Sequence, residues 1–196
     1  MRAGVFRMRA SGQRWKARVA LALTLATLIL PARALSDERL EYAIKAEVIE
    51  RFTHFIDWPN EAFAGSAAPF VICVVGDTPL APHLQFVLAR DHRIDDRHAE
   101  LRQLKGDADL HGCQVAFIAA SERQRLKQLV QRAAGHPILT VGDSDGFARE
   151  GVLINLYLDE GNHVRFEIYA EGVKKSGLKL SAQLLRFARV VTGSSP

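Results

Sequence analysis

Past Ala34 the apolar positions follow two rhythms in turn, one at helical spacing and one of short continuous runs. Leu40, Ile44, Val48, Phe52 and Phe55 recur at intervals of three and four, with Glu41, Lys45, Glu50 and Arg51 off that stripe. This predicts a helix capped at Asp37 and ended by Trp58-Pro59, because the residue before a proline is pushed out of the α region. Ala64 to Pro69 reads as a small-residue loop. Phe70 to Val75 (FVICVV) is then a continuous apolar, β-branched run, the mark of a strand buried on both faces.

Gly76-Asp77-Thr78-Pro79 supplies a turn, and Leu84, Val87 and Leu88 mark the next helix. His98 to Leu104 alternates weakly, as a more exposed strand does. Gln114 to Ala119 is a second buried strand, followed by Ser121 as the cap of a helix carrying Leu126, Leu129, Val130 and Ala133. Ile138 to Val141 is a third buried strand and ends in Gly142-Asp143. Val152 to Leu158 and Val164 to Tyr169 are joined by Asp159-Glu-Gly-Asn162, a hairpin signal. One last helix is expected from Leu178, Ser181, Leu185 and Ala188 on one face and Leu180, Leu184, Phe187 and Val191 on the next. Strands alternating with helices predict a single three-layer α/β domain: a mostly parallel sheet, an antiparallel edge hairpin and helices on both faces.

The amino-terminal end follows a different logic. Arg2, Arg7, Arg9, Arg14, Lys16 and Arg18 precede the apolar run Val19 to Leu30, and Ala32-Arg33-Ala34 follows as an A-x-A cleavage site. These are the three parts of a secretory signal peptide, and the run is shorter than the roughly 20 residues a membrane-spanning helix needs. The expected organisation is a signal peptide over 1–34 and an exported α/β domain over 35–196. Seven of the 26 basic residues and none of the 22 acidic ones lie in the signal, leaving 19 basic against 22 acidic. The basic pI therefore belongs to the targeting segment and gives no ground for nucleic-acid binding. Cys73 and Cys113 both remain. In an oxidising compartment an even count favours a disulfide, whereas buried free thiols are the ordinary state in a cytosolic chain.

Chemistry-bearing patterns are few. Gly142-Asp143-Ser144-Asp145-Gly146 follows a strand and fits the G-x-S-x-G nucleophile elbow, which makes Ser144, Asp159 and His163 a hydrolase alternative. Gly151 cuts the helix such an elbow needs, and Asp159 and His163 share one hairpin turn. Asp107, Asp109, His111 and Cys113 alternate, but no C-x-x-C or H-x-x-x-H spacing supports a metal, and neither metal nor cofactor is expected. Gly76-Asp77 and Gly142-Asp143 both end buried strands, where open α/β sheets bind ligands, so a small-solute binding protein is a second alternative. Trp58, with Phe52 and Phe55, reads as a wall of the core, with a pocket wall as the alternative.

Several segments together resemble the YfiR family of periplasmic proteins. They are Tyr42-Ala-Ile-Lys45-Ala46 leading to Phe55-Ile-Asp-Trp58-Pro59, Phe70 to Pro79, Cys113 to Ile118, Ile138 to Asp143, Phe147, Gly151, Val164 to Ile168, and Gly177 to Leu185. The resemblance implies a compact α/β fold, often a homodimer, without catalytic residues. It implies a partner in the periplasmic region of an inner-membrane diguanylate cyclase, held inactive so that cyclic-di-GMP falls. In some systems an outer-membrane lipoprotein sequesters the repressor. Cys73 and Cys113 match a family cysteine pair that can form a disulfide. Gly76, Asp77, Gly142, Asp143, Lys45 and Trp58 stand as candidate ligand or partner contacts. The chain departs from the family pattern at Glu47, Val48, Glu50 and Arg51, has Tyr169 where asparagine is common, and lacks a second cysteine pair.

Overall fold

The computed structural model describes residues 37–193 apart from His92, Gly106 and Ala108, so the expected signal peptide over 1–34 lies outside the described residues. The chain divides into Met1–Leu40 and Glu41–Pro196, and the second unit holds the sheet. Helix α1 is described from 37 to 53. It is followed by β1 (Ile56–Asp57), β2 (Phe70–Val75), α2 (Leu80–Asp91), β3 (Arg93–Ile94), β4 (Arg97–Leu104) and β5 (Val115–Ile118). A 3-10 turn (Ala120–Arg125) leads into α3 (Leu126–Ala133) and β6 (Leu139–Gly142). The chain continues through β7 (Ile154–Leu158), β8 (Val164–Tyr169), α4 (Ala170–Ser176), β9 (Lys179–Leu180), α5 (Ala182–Phe187) and β10 (Arg189–Val191).

Among the described residues, eight strands form one sheet in the order β10-β8-β7-β6-β5-β2-β4-β3, and β1 pairs with β9 alone. Strands β4, β2, β5, β6 and β7 run parallel. The β7–β8 hairpin is antiparallel, and β10 adds a parallel strand outside it. The chain steps from β2 outward to β4 and then returns to β5 on the other side of β2. That reversal puts a topological switch point at the carboxyl ends of β2 and β5.

Alternate residues of the central strands divide between two cores, because a strand's successive side chains point to opposite faces. Phe70, Ile72, Val74, Val115 and Phe117 pack with Ile49 of α1 and Leu84 of α2. Val71, Cys73, Val75, Ala116 and Ile118 pack with Leu126 and Leu129 of α3, and with Phe147 and Val152 of the β6–β7 connection. The β4–β5 connection supplies Leu110 and Cys113 to that second core. Cys113 is disulfide-bonded to Cys73 of β2, with the two Cα atoms 5.8 Å apart. The bridge thus pins this connection against the face opposite α1 and α2.

Three expectations are corrected. Helix α1 ends at residue 53, short of Trp58-Pro59, because Ile56 and Asp57 pair with β9. Its core face carries Ala46, Ile49 and Phe52, while Ile44 is exposed and Val48 and Phe55 are half-buried. The single helix expected from Leu178 to Val191 is broken into β9, α5 and β10, and an unexpected helix, α4, precedes it. Gly177 ends α4 in the left-handed region (φ 78°), which favours glycine. Ser181 then caps α5 by accepting from the Leu184 amide at 3.2 Å. Ser121 caps no helix; its hydroxyl accepts from the Asp77 amide at 2.9 Å and so ties the 3-10 turn to the end of β2.

Candidate functional site

Tyr42 and Lys45 of α1 stand at the carboxyl ends of β2 and β6. The Lys45 Nζ lies 2.7 Å from Asp143 Oδ2 and 2.5 Å from Glu41 Oε1. Both Lys45 and Asp143 side chains are 4% exposed, so this is a buried ion pair. Burial opposes the charge on Lys45, but Asp143 and then Glu41 outweigh it and hold the amine above its ordinary titration range. The same ammonium lies 4.6 Å from the centre of the Tyr42 ring. The Tyr42 hydroxyl is hydrogen-bonded to the Thr78 side chain; burial, and after it the Asp143 charge, raises its pKa.

Both Gly-Asp pairs stand at this edge of the sheet, and each glycine is needed for close approach. A Cβ on Gly76 (φ 88°) would lie 2.5 Å from Ser121 Oγ and 2.7 Å from Glu122 Cγ. One on Gly142 would lie 2.6 Å from the Phe147 ring. The two aspartates differ. Asp77 is exposed, whereas Asp143 is neutralised from within by Lys45. The protein's own lysine therefore occupies the place a solute would take at the end of β6.

Trp58 is not part of this group. Its Nε1 donates to the Gln114 carbonyl at 3.2 Å, and its ring meets Phe70 edge-on at 4.9 Å, both at the amino ends of β5 and β2. The structure brings Lys45 to Asp143, places Gly76, Asp77 and Gly142 at the same edge, and leaves Trp58 at the opposite one.

Ser144 contributes its carbonyl, which accepts from Asn155 Nδ2 at 3.0 Å. Asp159 and His163 pair with each other at 3.1 Å in the hairpin turn, four residues along from Asn155 and so roughly 13 Å further at strand rise. The described geometry does not assemble them into a triad. Cys113 is held in the disulfide, which removes it from the Asp107, Asp109, His111 series. Among the described residues no group of three metal-ligating side chains occurs.

A polar network that the sequence reading missed spans β7, β8 and β10. Buried Glu167 accepts from Asn155 Nδ2 at 3.3 Å and from Arg189 Nε at 3.2 Å. Arg189 lies across from it in register and also stacks on Tyr157, 4.5 Å from the ring centre. Glu167 holds the Arg189 guanidinium above its ordinary pKa. Among the described residues Asn155 Oδ1, buried beside Gly142, has no hydrogen-bond partner. The available signal was Glu167 inside the apolar run Phe166-Glu-Ile168, because a carboxylate buried there needs a partner.

These observations define a doubly wound α/β domain, stapled by one disulfide and closed at its switch edge by an internal ion pair. The chain belongs to the YfiR/HmsC-like family, whose signature matches residues 42–189. The match begins at Tyr42 and ends at Arg189, so it contains the Lys45–Asp143 pair and the Glu167 network, while Glu41 lies just outside it. Pairwise comparison with curated proteins gives no match. Among the described residues no helix is long and apolar enough to cross a membrane.

Proposed function

We propose that this protein is a non-enzymatic regulator, exported to the periplasm by a signal peptide over residues 1–34 and active as the domain over 35–196. It represses an inner-membrane diguanylate cyclase by binding the enzyme's periplasmic sensor region, and so lowers cyclic-di-GMP. The family match across residues 42–189 is the observation that carries this reading. An outer-membrane lipoprotein that sequesters the repressor would relieve the repression, and a second copy of the chain is a further candidate partner.

The surface favours a protein partner over a solute at the Gly-Asp edge, since Lys45 satisfies Asp143 internally. At the far end of the sheet, Leu185, Phe187 and Val190 are exposed on α5 and β10. Beside them Val48, Phe52, Phe55, Phe166 and Leu184 line an apolar groove. Exposed apolar surface of this kind marks interaction sites, and we assign the sensor contact to it.

The test is cellular cyclic-di-GMP after deletion of the gene, under conditions where a co-encoded cyclase is expressed. The level rises and returns on complementation with the wild type. An unchanged level removes the repressor reading. So does the absence of measurable affinity between the purified protein and the cyclase's sensor region.

A further inference from the structure

A cavity of about 490 Å³ opens at the amino ends of β6 and β7, between α3 and α4. It is at the opposite end of β6 from Asp143 and apart from the α5–β10 surface. Its volume falls within the range of about 300–1,000 Å³ that small-molecule sites occupy. The floor is apolar, with Val130, Ala134, Ile138, Leu153 and the Tyr169 ring among its lining residues. Two glycines make the space: a Cβ on Gly151 would lie 2.8 Å from Val130, and one on Gly172 would lie 2.5 Å from the Tyr169 ring.

The charge around this floor is one-sided. Lys127 from α3, Lys175 from α4 and Arg149 line the cavity, against one carboxylate, Glu150. Glu150 is already turned to Arg123, 3.6 Å away. Among the described residues neither Lys127 nor Lys175 has a carboxylate partner. Inside, Thr140 is buried, and its oxygen accepts from the Leu153 amide at 2.9 Å. An apolar floor and a cationic rim complement one kind of molecule.

We propose that this cavity binds a small amphiphilic organic anion, its aromatic or branched apolar body against Val130, Ile138 and Tyr169 and its anionic group between Lys127 and Lys175. The site is independent of the cyclase reading and stands or falls separately from it.

Two dyes sharing one body test it on the purified protein: 8-anilinonaphthalene-1-sulfonate, which carries the anion, and N-phenyl-1-naphthylamine, which does not. The wild type binds the sulfonate more tightly. The exposed double substitution Lys127→Gln, Lys175→Gln weakens sulfonate binding by about tenfold or more, while leaving the neutral dye and the thermal midpoint unchanged. Ala134→Trp, at the exposed end of α3, blocks both dyes. Equal affinity of the wild type for the two dyes, undiminished sulfonate binding in the double lysine variant, or no binding of either dye overturns the proposal.

Discussion

Lys45 and Asp143 were each visible as chemistry-bearing residues, but nothing in the sequence joins positions 98 apart into a 2.7 Å pair. The pair fastens α1 across the carboxyl end of β6, and its members are buried deeply enough that removing one strands the other. Lys45→Met leaves Asp143 uncompensated, which costs about 3–5 kcal/mol. Lys45→Met with Asp143→Asn recovers a large part of that loss, because the orphaned charge is gone. Urea unfolding of the three proteins checks this, and equal losses in the single and double variants would sink it. The pH dependence has a definite sign. Lys45 and Tyr42 both titrate above their ordinary values when folded, so the folded chain keeps protons that the unfolded chain has lost. Their contribution is complete below about pH 10 and falls as the pH rises through the folded values. Tyr42→Phe flattens the alkaline decline measured by urea midpoints from pH 8 to 11.

At the scale of elements, the Cys73–Cys113 bridge does for the β4–β5 connection what a helix does elsewhere in this fold. Among the described residues that connection carries no helix, yet it covers part of the second core with Leu110 and Cys113. With the cysteines 40 positions apart, the chain-entropy estimate of the bridge is about 4 kcal/mol. Cys73→Ala with Cys113→Ala lowers the unfolding free energy by that order, and amide exchange rises first in residues 109–114. Uniform acceleration across the whole sheet would show instead that the bridge stabilises no particular element. The legible elements were those with a strong local signature. Strands β2, β5 and β6 are buried on both faces, so their apolar runs have no competing interpretation. The hairpin carried its turn residues, and the cysteine pair carried its own count. The failures have physical causes. Apolar residues on α1 fall on two adjacent stripes, and only contacts from distant strands decide that Ala46 and Ile49 enter the core while Val48 and Phe55 line a groove. Beyond residue 177, helical spacing is real in α5, but Gly177 and the pairing of Leu180 with Ile56 interrupt it. Trp58 was grouped with Lys45 because both lie in one resembling segment; the fold sends them to opposite edges of the sheet.

For the whole molecule, the proposed repression is a question of differential affinity. Moving a sensor region from almost wholly active to almost wholly inactive requires a binding preference of about 10⁴-fold, near 5.5 kcal/mol. An apolar contact with aromatic anchors supplies energy on that scale, because a few buried aromatic side chains dominate most interfaces. Phe187 is the best placed of them: it is 74% exposed, borders the groove beside Phe52 and Phe166, and lies next to the edge strand β10. The core does not depend on its ring, so Phe187→Asp folds with an unchanged thermal midpoint while placing a charge where the sensor's apolar surface would be buried. Its affinity for the sensor region falls by roughly 30-fold or more, equivalent to about 2 kcal/mol, and the variant fails to restore cyclic-di-GMP in the deletion strain. Phe86 provides the internal comparison. It is 68% exposed on α2, toward the β4 end of the sheet, and Phe86→Asp retains wild-type affinity and full complementation. Loss of repression in both variants would mean that any added charge on this face of the molecule is harmful. Loss in neither would move the contact away from α5 and β10, leaving the Asp77 edge as the next surface to vary.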